Sequence, residues 1–417
     1  MRPASLRSVY PGPGGFDPKE VKREFPIFTN NPDLIFLDSA ASAQKPRAVI
    51  DGIANFYRQD YANVHRGAYD LSVRATERFE AARETARRFL NAAHVSEIVF
   101  VRGATEGINL VAQGWGDAFL KVGDQVILTE LEHHSNIVPW QFLRERAGIE
   151  IAVVPIDQSG ALDIEAYKRL LGPKTKLVAI TQVANVTGHA VDVESFVRLG
   201  HAAGAKVLID GCQGAPRMDV DVRALDCDFY VFSGHKTYGP TGIGVLYAKR
   251  SLLDAMPPWQ GGGDMIETVT FEKSTYQAAP QRFEAGTPDI AGAVGLDLAL
   301  QFMEQLGRAD IEQHEEALTG YAVSRLSETP GVTVVPAGAR RIGAVSFTVD
   351  GIHPHDLATI FDQQKVAIRA GHHCAQPLLD RLGLSATARA SFGVYSTEED
   401  AAALIKAIRT AQKLFGV

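Results

Sequence analysis

A regular alternation of strand-like and helix-like segments between residues 98 and 232 is the feature of this sequence that most constrains its fold. Between most of the strand-like runs lie segments with helical spacing, such as residues 163–171, in which Ile164, Tyr167 and Leu171 share one face. This order predicts an α/β fold with a mainly parallel, buried sheet. Ligands bind such sheets beyond the carboxyl ends of the strands, so functional residues are expected there. The apolar runs lie at residues 98–101, 125–129, 151–155, 177–181, 206–209 and 229–232.

The chain divides into three predicted parts. Residues 1–24 form an N-terminal arm that begins with a Pro- and Gly-rich stretch and is expected to pack on the smaller domain or to be disordered. Residues 25–300 form a large α/β domain, and a long helix around residues 297–306 leads out of it. Residues 301–417 form a smaller α+β domain, whose last helix opens with Ser396-Thr397-Glu398-Glu399, a capping-box pattern.

Composition and charge exclude several functional classes. The chain carries 42 basic and 49 acidic side chains, a net charge of −7, so no surface for nucleic acid is expected. No apolar run approaches the roughly 18–20 residues that span a bilayer, and no secretory signal is apparent, so no membrane association is expected. The three cysteines, Cys212, Cys227 and Cys374, have no paired spacing, which favours a reducing, cytoplasmic location.

Lys236 lies in a glycine-rich loop that is the first candidate for a functional site. The segment Ser233-Gly234-His235-Lys236 follows the apolar run 229–232, and a second run, 245–248, returns as in a hairpin. A lone lysine in a loop is usually a solvated cation. Here a hydroxyl and an imidazole precede the lysine, and four glycines between residues 234 and 244 allow close backbone approach. This combination suits an amine held against a phosphorylated ligand, as a Schiff-base lysine requires.

Residues at two other strand ends are candidates for binding an anion or a flat ring. Thr105 stands at the start of an apolar helix, where backbone N–H groups bind anions, or it simply caps a strand-to-helix turn. No G-x-G-x-x-G or P-loop motif is present, which disfavours dinucleotide and nucleoside triphosphate sites. His133 and His134 are capping, metal-binding or ring-stacking candidates, but no further ligand completes a zinc pattern.

Asp210 follows the strand 206–209, and Gln213 lies three residues on. A carboxylate at the end of a buried strand is costly unless it is paired, and a pyridinium nitrogen is a suitable partner. Gln213 would then reach a phenolic oxygen of the same ring. The alternative is an aspartate that caps a helix, with Cys212 packing as a small hydrophobic residue.

The smaller domain contains a cysteine with basic neighbours. Cys374 follows Arg369, His372 and His373, an environment that favours the thiolate. A buried inert thiol and a metal site are the alternatives. Arg389, on a later strand, could pair with a carboxylate through two hydrogen bonds or form a surface ion pair.

Together, a lysine, a strand-end aspartate, an anion-binding helix start and a ring stacker suit pyridoxal phosphate (PLP). With these residues the sequence resembles a group II (SufS-type) cysteine desulfurase, in the class V aminotransferase family of PLP fold type I enzymes. The resemblance covers nearly the whole chain from residue 37 onwards. Its most specific stretches are residues 102–109, 132–140, 233–247, 282–288 and 369–375.

The resemblance implies a homodimer with sites at the subunit interface and a PLP-binding large domain with a mainly parallel seven-stranded sheet. Lys236 would form the Schiff base and transfer protons, and Cys374 would be the nucleophile. Asp210 would pair with the ring nitrogen, Gln213 with the ring oxygen, and His133 would stack on the ring. The phosphate and the substrate would be held by a further set: Ala104, Thr105, Ser233, His235 and Thr287 of the partner subunit for the phosphate, and His65, Asn185, Arg369 and Arg389 for the substrate.

The implied reaction converts L-cysteine to L-alanine and leaves a persulfide on Cys374 for a SufE- or SufU-like acceptor in iron–sulfur cluster assembly. L-selenocysteine lyase activity, or another PLP-dependent lyase or aminotransferase activity, is an alternative on the same scaffold. A metal-binding or scaffold protein that uses His133, His134, His372, His373 and Cys374 is the non-enzymatic alternative. The chain departs from the family pattern at Gly188-His189, where a change in substrate contacts is expected, and at Ala104, where a second threonine is common.

Overall fold

The structure, a computed structural model, describes residues 17–417. Most of the predicted N-terminal arm, residues 1–24, therefore lies outside the described residues. Its last part forms a short helix, in which Lys22 Nζ lies 3.0 Å from Asp400 Oδ1 at the start of the C-terminal helix. Lys19 and Glu399 form a second ion pair between the same two segments.

The described residues form short strands and helices. The strands are β1 (Ile35–Phe36), β2 (Ile98–Val101), β3 (Gln125–Thr129), β4 (Glu150–Val154), β5 (Thr175–Thr181), β6 (Lys206–Asp210), β7 (Phe229–Ser233), β8 (Gly244–Ala248), β9 (Ile266–Val269), β10 (Ser274–Tyr276), β11 (Val332–Val334), β12 (Ala344–Val349), β13 (Val366–Ala367), β14 (Arg369–Gly371) and β15 (Thr387–Ser391). The helices are α1 (Pro18–Arg23), α2 (Pro26–Asn30), α3 (Arg47–Gln59), α4 (Asp70–Phe89), α5 (Ala104–Leu110), α6 (Asp117–Phe119), α7 (Val138–Ala147), α8 (Ile164–Leu170), α9 (Val193–Ala202), α10 (Val222–Leu225), α11 (Arg250–Ala255), α12 (Ile290–Leu306), α13 (Arg308–Ser327), α14 (Pro354–Gln363), α15 (Gln376–Arg381) and α16 (Glu398–Phe415).

The central sheet confirms the predicted α/β architecture. It has seven strands in the order β2-β8-β7-β6-β5-β3-β4. Strands β3 to β7 are parallel, and only β8, which returns from the Lys236 loop, runs antiparallel to its neighbours in this sheet. The alternation of strands and helices therefore gives the expected parallel sheet, and the predicted hairpin-like return is the β7–β8 pair.

Alternate residues along the central strands pack against two different helical layers. Ile209 and Tyr230 belong to the core that contains α4 and α12, whereas Leu208 and Val231 belong to the core that contains α5 and α7. Because side chains alternate across a strand, a run that is apolar at every position is covered on both faces. The sheet is thus buried between two layers, and its carboxyl edge is where a ligand can reach it.

The C-terminal part has its own antiparallel sheet, in the order β11-β12-β15-β14. Strand β1 pairs with β13 in parallel, so a short N-terminal segment also joins this part of the molecule. The helix predicted around residues 297–306 begins earlier, at Ile290, and residue 300 lies within it. The division into 25–300 and 301–417 stays a prediction.

The capping box of the last helix lies one residue later than predicted. Thr397 accepts a hydrogen bond from the backbone N–H of Asp400, and the Asp400 carboxylate accepts one from the N–H of Thr397. Aspartate can thus replace glutamate at the third position of the box, so the pair is Thr397–Asp400 and not Ser396–Glu399.

Candidate active site

A cavity of about 230 Å³ lies at the carboxyl edge of the central sheet. It collects side chains from the ends of several strands, from the loop after β14 and from the segment that follows β1. This is where the sheet topology predicts a ligand. Its lining residues are Ala40, Ala41, Ala104, Thr105, His133, Ser135, Thr181, Val183, Asn185, Asp210, Cys212, Gln213, Ser233, His235, Lys236, Arg369, His373, Cys374 and Arg389.

Lys236 enters the cavity from a single 3₁₀ turn, Gly234–Lys236, that directly follows β7. The turn is held by Lys45, whose Nζ donates to the backbone carbonyls of Ala43 at 2.6 Å and His235 at 2.9 Å. Burial lowers the pKa of Lys45 to about 8. A Cβ atom on Gly244 would lie 2.6 Å from the carbonyl oxygen of Phe232, so the return strand requires glycine there.

Asp210 is the last residue of β6 and is 3% exposed. Its Oδ1 accepts the backbone N–H of Cys212 at 2.9 Å, and the carboxylate lines the cavity. A buried carboxylate calls for a cationic or N–H partner. The helix-capping alternative does not fit, because the segment after Asp210 is a turn and not a helix.

The anion end of the cavity is formed by the β2–α5 connection and Ser233. The Ser233 hydroxyl accepts the backbone N–H of Ala104 at 2.9 Å and also lies 3.6 Å from the sulfur of Cys212. A Cβ atom on Gly103 would lie 3.2 Å from this hydroxyl, so glycine keeps the space open. Burial and the Lys236 ammonium lower the pKa of His235 to about 4, so His235 is a neutral hydrogen-bonding group. Ala104 contributes only its backbone to the anion end, because it stands where a second threonine, with a hydroxyl, is common.

The adjacent histidines have separate partners. Nδ1 of His133 accepts the backbone N–H of Ser135 at 3.1 Å, so the neutral ring carries its proton on Nε2. Burial, reinforced by Lys236, lowers the pKa of His133 to about 3. Nε2 of His134 instead accepts the backbone N–H of Gln376 at 3.0 Å, and the N–H of His134 donates to the carbonyl of Cys374 at 2.8 Å. His133 therefore lines the cavity, and His134 anchors the cysteine loop.

Two arginines from neighbouring strands form the opposite wall. Arg369 and Arg389 are directly paired across β14 and β15. Arg389 is 2% exposed and donates to Asn185 O and to Asp38 Oδ1, both at 3.0 Å, while its Nε has no partner. Burial lowers the pKa of Arg389 to about 10 and raises the pKa of Asp38, whose carboxylate the two arginines stabilise. This wall suits a small carboxylate ligand.

Cys374 is exposed at the tip of a strained loop. Both His373 and Cys374 have left-handed backbone angles, φ 52° and 57°. The loop is held by Asn185, whose Nδ2 donates to His373 O at 2.6 Å, and by a 2.8 Å contact between His373 Nε2 and the Thr387 hydroxyl. Burial raises the pKa of Cys212 to about 12 and also raises that of Cys227, so Cys374 is the accessible thiol of the chain.

Three residues singled out in the sequence lie outside this cavity. His65 contacts Glu80 through Nε2 at 2.9 Å, so its predicted role rests on the resemblance alone. Thr287 lines a separate groove with Gly242 and Asp289, so it does not reach the Lys236 of its own chain. His189 was expected to alter substrate contacts, but it packs against Gly338 and is not a lining residue. The departure from the family pattern at His189 therefore affects the contact between the larger and the smaller predicted domain.

The metal-binding alternative finds no support in the structure. Within residues 17–417 no cluster of three or more histidine, cysteine, aspartate or glutamate side chains could hold a metal ion. His134 and His133 both use a ring nitrogen for a backbone N–H. Over the same residues, no helix combines the length and apolar character needed to cross a membrane.

Several residues at or behind the site carry no signal in the sequence. Asp38 pairs with Arg389 across 351 positions, and Arg217 contacts both Gln213 and the buried Glu315. Spacing along the chain does not predict such pairs.

Comparisons with known proteins show which family this chain resembles. A family model described as aminotransferase class-V matches residues 35–404. A cysteine desulfurase of Pectobacterium atrosepticum is 48% identical over 95% of this chain and 98% of its own length. A probable cysteine desulfurase 1 of Mycobacterium leprae is 50% identical over 94% of this chain, which spans 65% of that longer protein. The solved structure of the cysteine desulfurase CsdA from Escherichia coli, 40% identical, superposes with a TM-score of 0.89 over 96% of this chain and 100% of that one.

Proposed function

The chain belongs to the aminotransferase class-V family and, within it, to the cysteine desulfurases, and from this premise we propose that it converts L-cysteine to L-alanine with Cys374 as the sulfur acceptor. The observation that carries the proposal is the position of Cys374. It is an exposed thiol on the rim of the cavity that also contains Lys236, Asp210 and the unpaired Nε of Arg389.

The cofactor is pyridoxal phosphate, and the residues of the cavity fit it. The buried Asp210 carboxylate suits a ring N–H, and the Ser233 hydroxyl, beside the space that Gly103 leaves open, suits a phosphate oxygen. The neutral ring of His133 suits stacking on a flat ring. When bound, the cofactor supplies an electron sink for the electrons released at the substrate Cα.

The residues of this chain supply the other parts of the reaction. Arg389 and Arg369, which lie side by side in the cavity wall, bind the substrate carboxylate. The Lys236 amine holds and returns the proton at Cα. The Cys374 thiolate attacks the substrate sulfur, so an S–S bond forms as the Cβ–S bond breaks.

The reaction balances without an external oxidant. One L-cysteine and one Cys374 thiol give one L-alanine and one Cys374 persulfide. The protons that leave the Cys374 thiol and Cα are both returned to carbon, at Cβ and Cα, and the proton of the substrate thiol stays with the persulfide. The persulfide is then passed to a SufE- or SufU-like acceptor protein for iron–sulfur cluster assembly. Exposure of Cys374 at the loop tip supports this transfer, because an acceptor can approach without entering the cavity.

We further propose that the enzyme is a homodimer. Thr287 lies outside the cavity of its own chain, so the phosphate-binding set implied by the resemblance is complete only if the partner subunit's Thr287 contributes to it.

The function is tested by measuring alanine and persulfide formation from L-cysteine, with and without a thiol acceptor. We expect Cys374→Ala to lose at least about a hundredfold in turnover, because the nucleophile is removed. Cys212→Ala is the matched control, since Cys212 also lines the cavity but is buried. Undiminished activity of Cys374→Ala would instead indicate a transaminase or a lyase that needs no thiol. L-selenocysteine, assayed in parallel, distinguishes a lyase with selenium preference.

A further inference from the structure

A buried ion pair behind the cavity joins the large domain to helix α13. Arg217 is 3% exposed, Glu315 is 1% exposed, and Arg217 Nε lies 2.9 Å from Glu315 Oε2. The angle between these two groups is poor for a hydrogen bond, so the contact is an ion pair. A Cβ atom on Gly343 would lie 1.7 Å from Arg217 Nε, so the guanidinium is packed directly against this backbone. Apolar side chains of similar volume stabilise a core as well as a buried ion pair does, so a role beyond stability is expected.

The guanidinium determines which way the Gln213 amide points. Arg217 Nη1 donates to Gln213 Oε1 at 2.8 Å, and Gln213 Nε2 donates to the carbonyl of Ala40 at 2.8 Å. An arginine N–H can only donate and a carbonyl can only accept, so these two partners fix the positions of oxygen and nitrogen in the amide. One hydrogen of Nε2 remains unused, and Gln213 lines the cavity.

Glu315 also contacts the loop that carries Lys236. The hydroxyl of Tyr238 donates to Glu315 Oε1 at 3.4 Å and accepts the backbone N–H of Val394 at 3.1 Å. Tyr238 follows Lys236 by two residues and is 1% exposed. The ion pair therefore connects the Gln213 amide with the lysine loop through one helix.

We propose that Arg217, held by Glu315, is a positioning residue that presents the NH₂ group of Gln213, and not its oxygen, to the phenolic oxygen of the cofactor ring. The inference rests on the proposed function. The two ends of a glutamine amide have nearly the same shape, so packing alone does not choose between them. The phenolic oxygen is an acceptor in its anionic form, and a flipped amide would place a second oxygen against it.

The proposal is tested by cofactor binding to the apoprotein and not by turnover. The probes are pyridoxal phosphate and 3-deoxypyridoxal phosphate, which lacks only the phenolic oxygen. We expect the unmodified protein to bind pyridoxal phosphate about tenfold more tightly than the analogue, because the analogue lacks the charged oxygen that accepts one hydrogen bond. In Arg217→Met/Glu315→Leu, which keeps the volume of the pair, this preference should decrease, because only the Ala40 carbonyl still orients the amide. In Gln213→Ala it should disappear.

Arg340→Met/Glu316→Leu is the matched control, because it removes a partly exposed arginine–glutamate pair whose glutamate follows Glu315 on α13, and it should keep the preference. If the buried double variant does not fold, Arg217→Gln, too short to reach both partners, replaces it. A folded variant that keeps the tenfold preference overturns the proposal, as do equal affinities in the unmodified protein. If pyridoxal phosphate does not bind, or if its binding does not depend on Lys236, the proposed function itself is overturned.

Discussion

The backbone N–H of His134 donates a hydrogen bond to the carbonyl of Cys374 at 2.8 Å, and the His134 ring accepts the N–H of Gln376 at 3.0 Å. These two contacts hold the backbone that directly follows the thiol, in a loop that is strained at Cys374, φ 57°. The end of β3 therefore fixes the position of a thiol that lies more than two hundred residues later in the chain. A strained loop persists only where its surroundings hold it.

The first prediction is that His134→Ala impairs turnover without removing the cofactor. Loss of the ring acceptor costs about one hydrogen bond, so we expect kcat to fall about five- to tenfold while cofactor binding stays unchanged. Iodoacetamide should also alkylate Cys374 faster in this variant, because the loop is less restrained. His372→Ala, at an exposed position of the same loop, is the control. Equal kcat and alkylation rates in His134→Ala and the unmodified protein would contradict this role.

The second prediction concerns Arg389. Its guanidinium is fixed by Asn185 O and Asp38, and its Nε is unpaired, so we expect Arg389→Lys to lose the directed contact with a carboxylate although the charge remains. The KM for L-cysteine should rise about tenfold to a hundredfold, because a hydrogen bond to a charged group is worth about 1.5–3 kcal/mol. Arg102→Lys, at an exposed position with a helical partner, should leave KM unchanged. Steady-state kinetics on the two variants distinguish these outcomes.

Sequence patterns predict the fold and one side of the site well. Lys236 and Asp210 stand directly after buried apolar runs, so their position at the carboxyl edge follows from the strand pattern and the parallel sheet. Cys374 is assigned from its basic neighbours and from the family resemblance, because no periodicity links the C-terminal domain to this edge. The same reasoning places the capping box one residue early, since Ser396 and Thr397 both suit a cap and only packing selects between them.

Pairs formed by tertiary packing are not predictable in this way. The Asp38–Arg389 and Arg217–Glu315 contacts join charged residues that have no fixed spacing. Each of these residues could equally have been solvated, since burial of a charge is decided by where helices and strands come to rest. His65 and Thr287 lie outside the cavity of their own chain, so the roles that the resemblance implies for them stay predictions.

The third prediction is a loss of stability in mild acid. His373 is 5% exposed, and burial, with Arg389 next, lowers its pKa to about 3 from an ordinary value of 6.5. The unfolded chain therefore binds a proton here between about pH 6.5 and 3 that the folded chain does not, so stability falls as the pH decreases through this range. One such histidine contributes about 1.4 kcal/mol per pH unit. Urea unfolding between pH 6.5 and 4.5 measures the slope.

His373→Asn should reduce that slope by about one proton, because the titrating group is removed. The exposed His355, on the C-terminal domain, provides the control, and His355→Asn should leave the slope unchanged. Carboxylates that titrate in the same range contribute equally to all three proteins and cancel in the comparison. An identical slope in the His373→Asn variant would show that this ring is not held neutral.

The fourth prediction concerns a buried ion pair that supports the segment leading to Thr287. Arg83 is 1% exposed and donates to both carboxylate oxygens of Glu284, at 2.6 and 2.9 Å, while Glu284 also accepts the N–H of Phe100. Arg83→Ala leaves a buried carboxylate without its cation, so the free energy of unfolding should fall by about 3–5 kcal/mol. Arg87→Ala, one turn later on α4, removes a partly exposed pair with Glu84 and a hydrogen bond to the carbonyl of Ala92, and should cost less than about 2 kcal/mol. Urea unfolding of the two variants compares these values, and similar losses would mean that the Arg83 pair contributes no more than a surface contact.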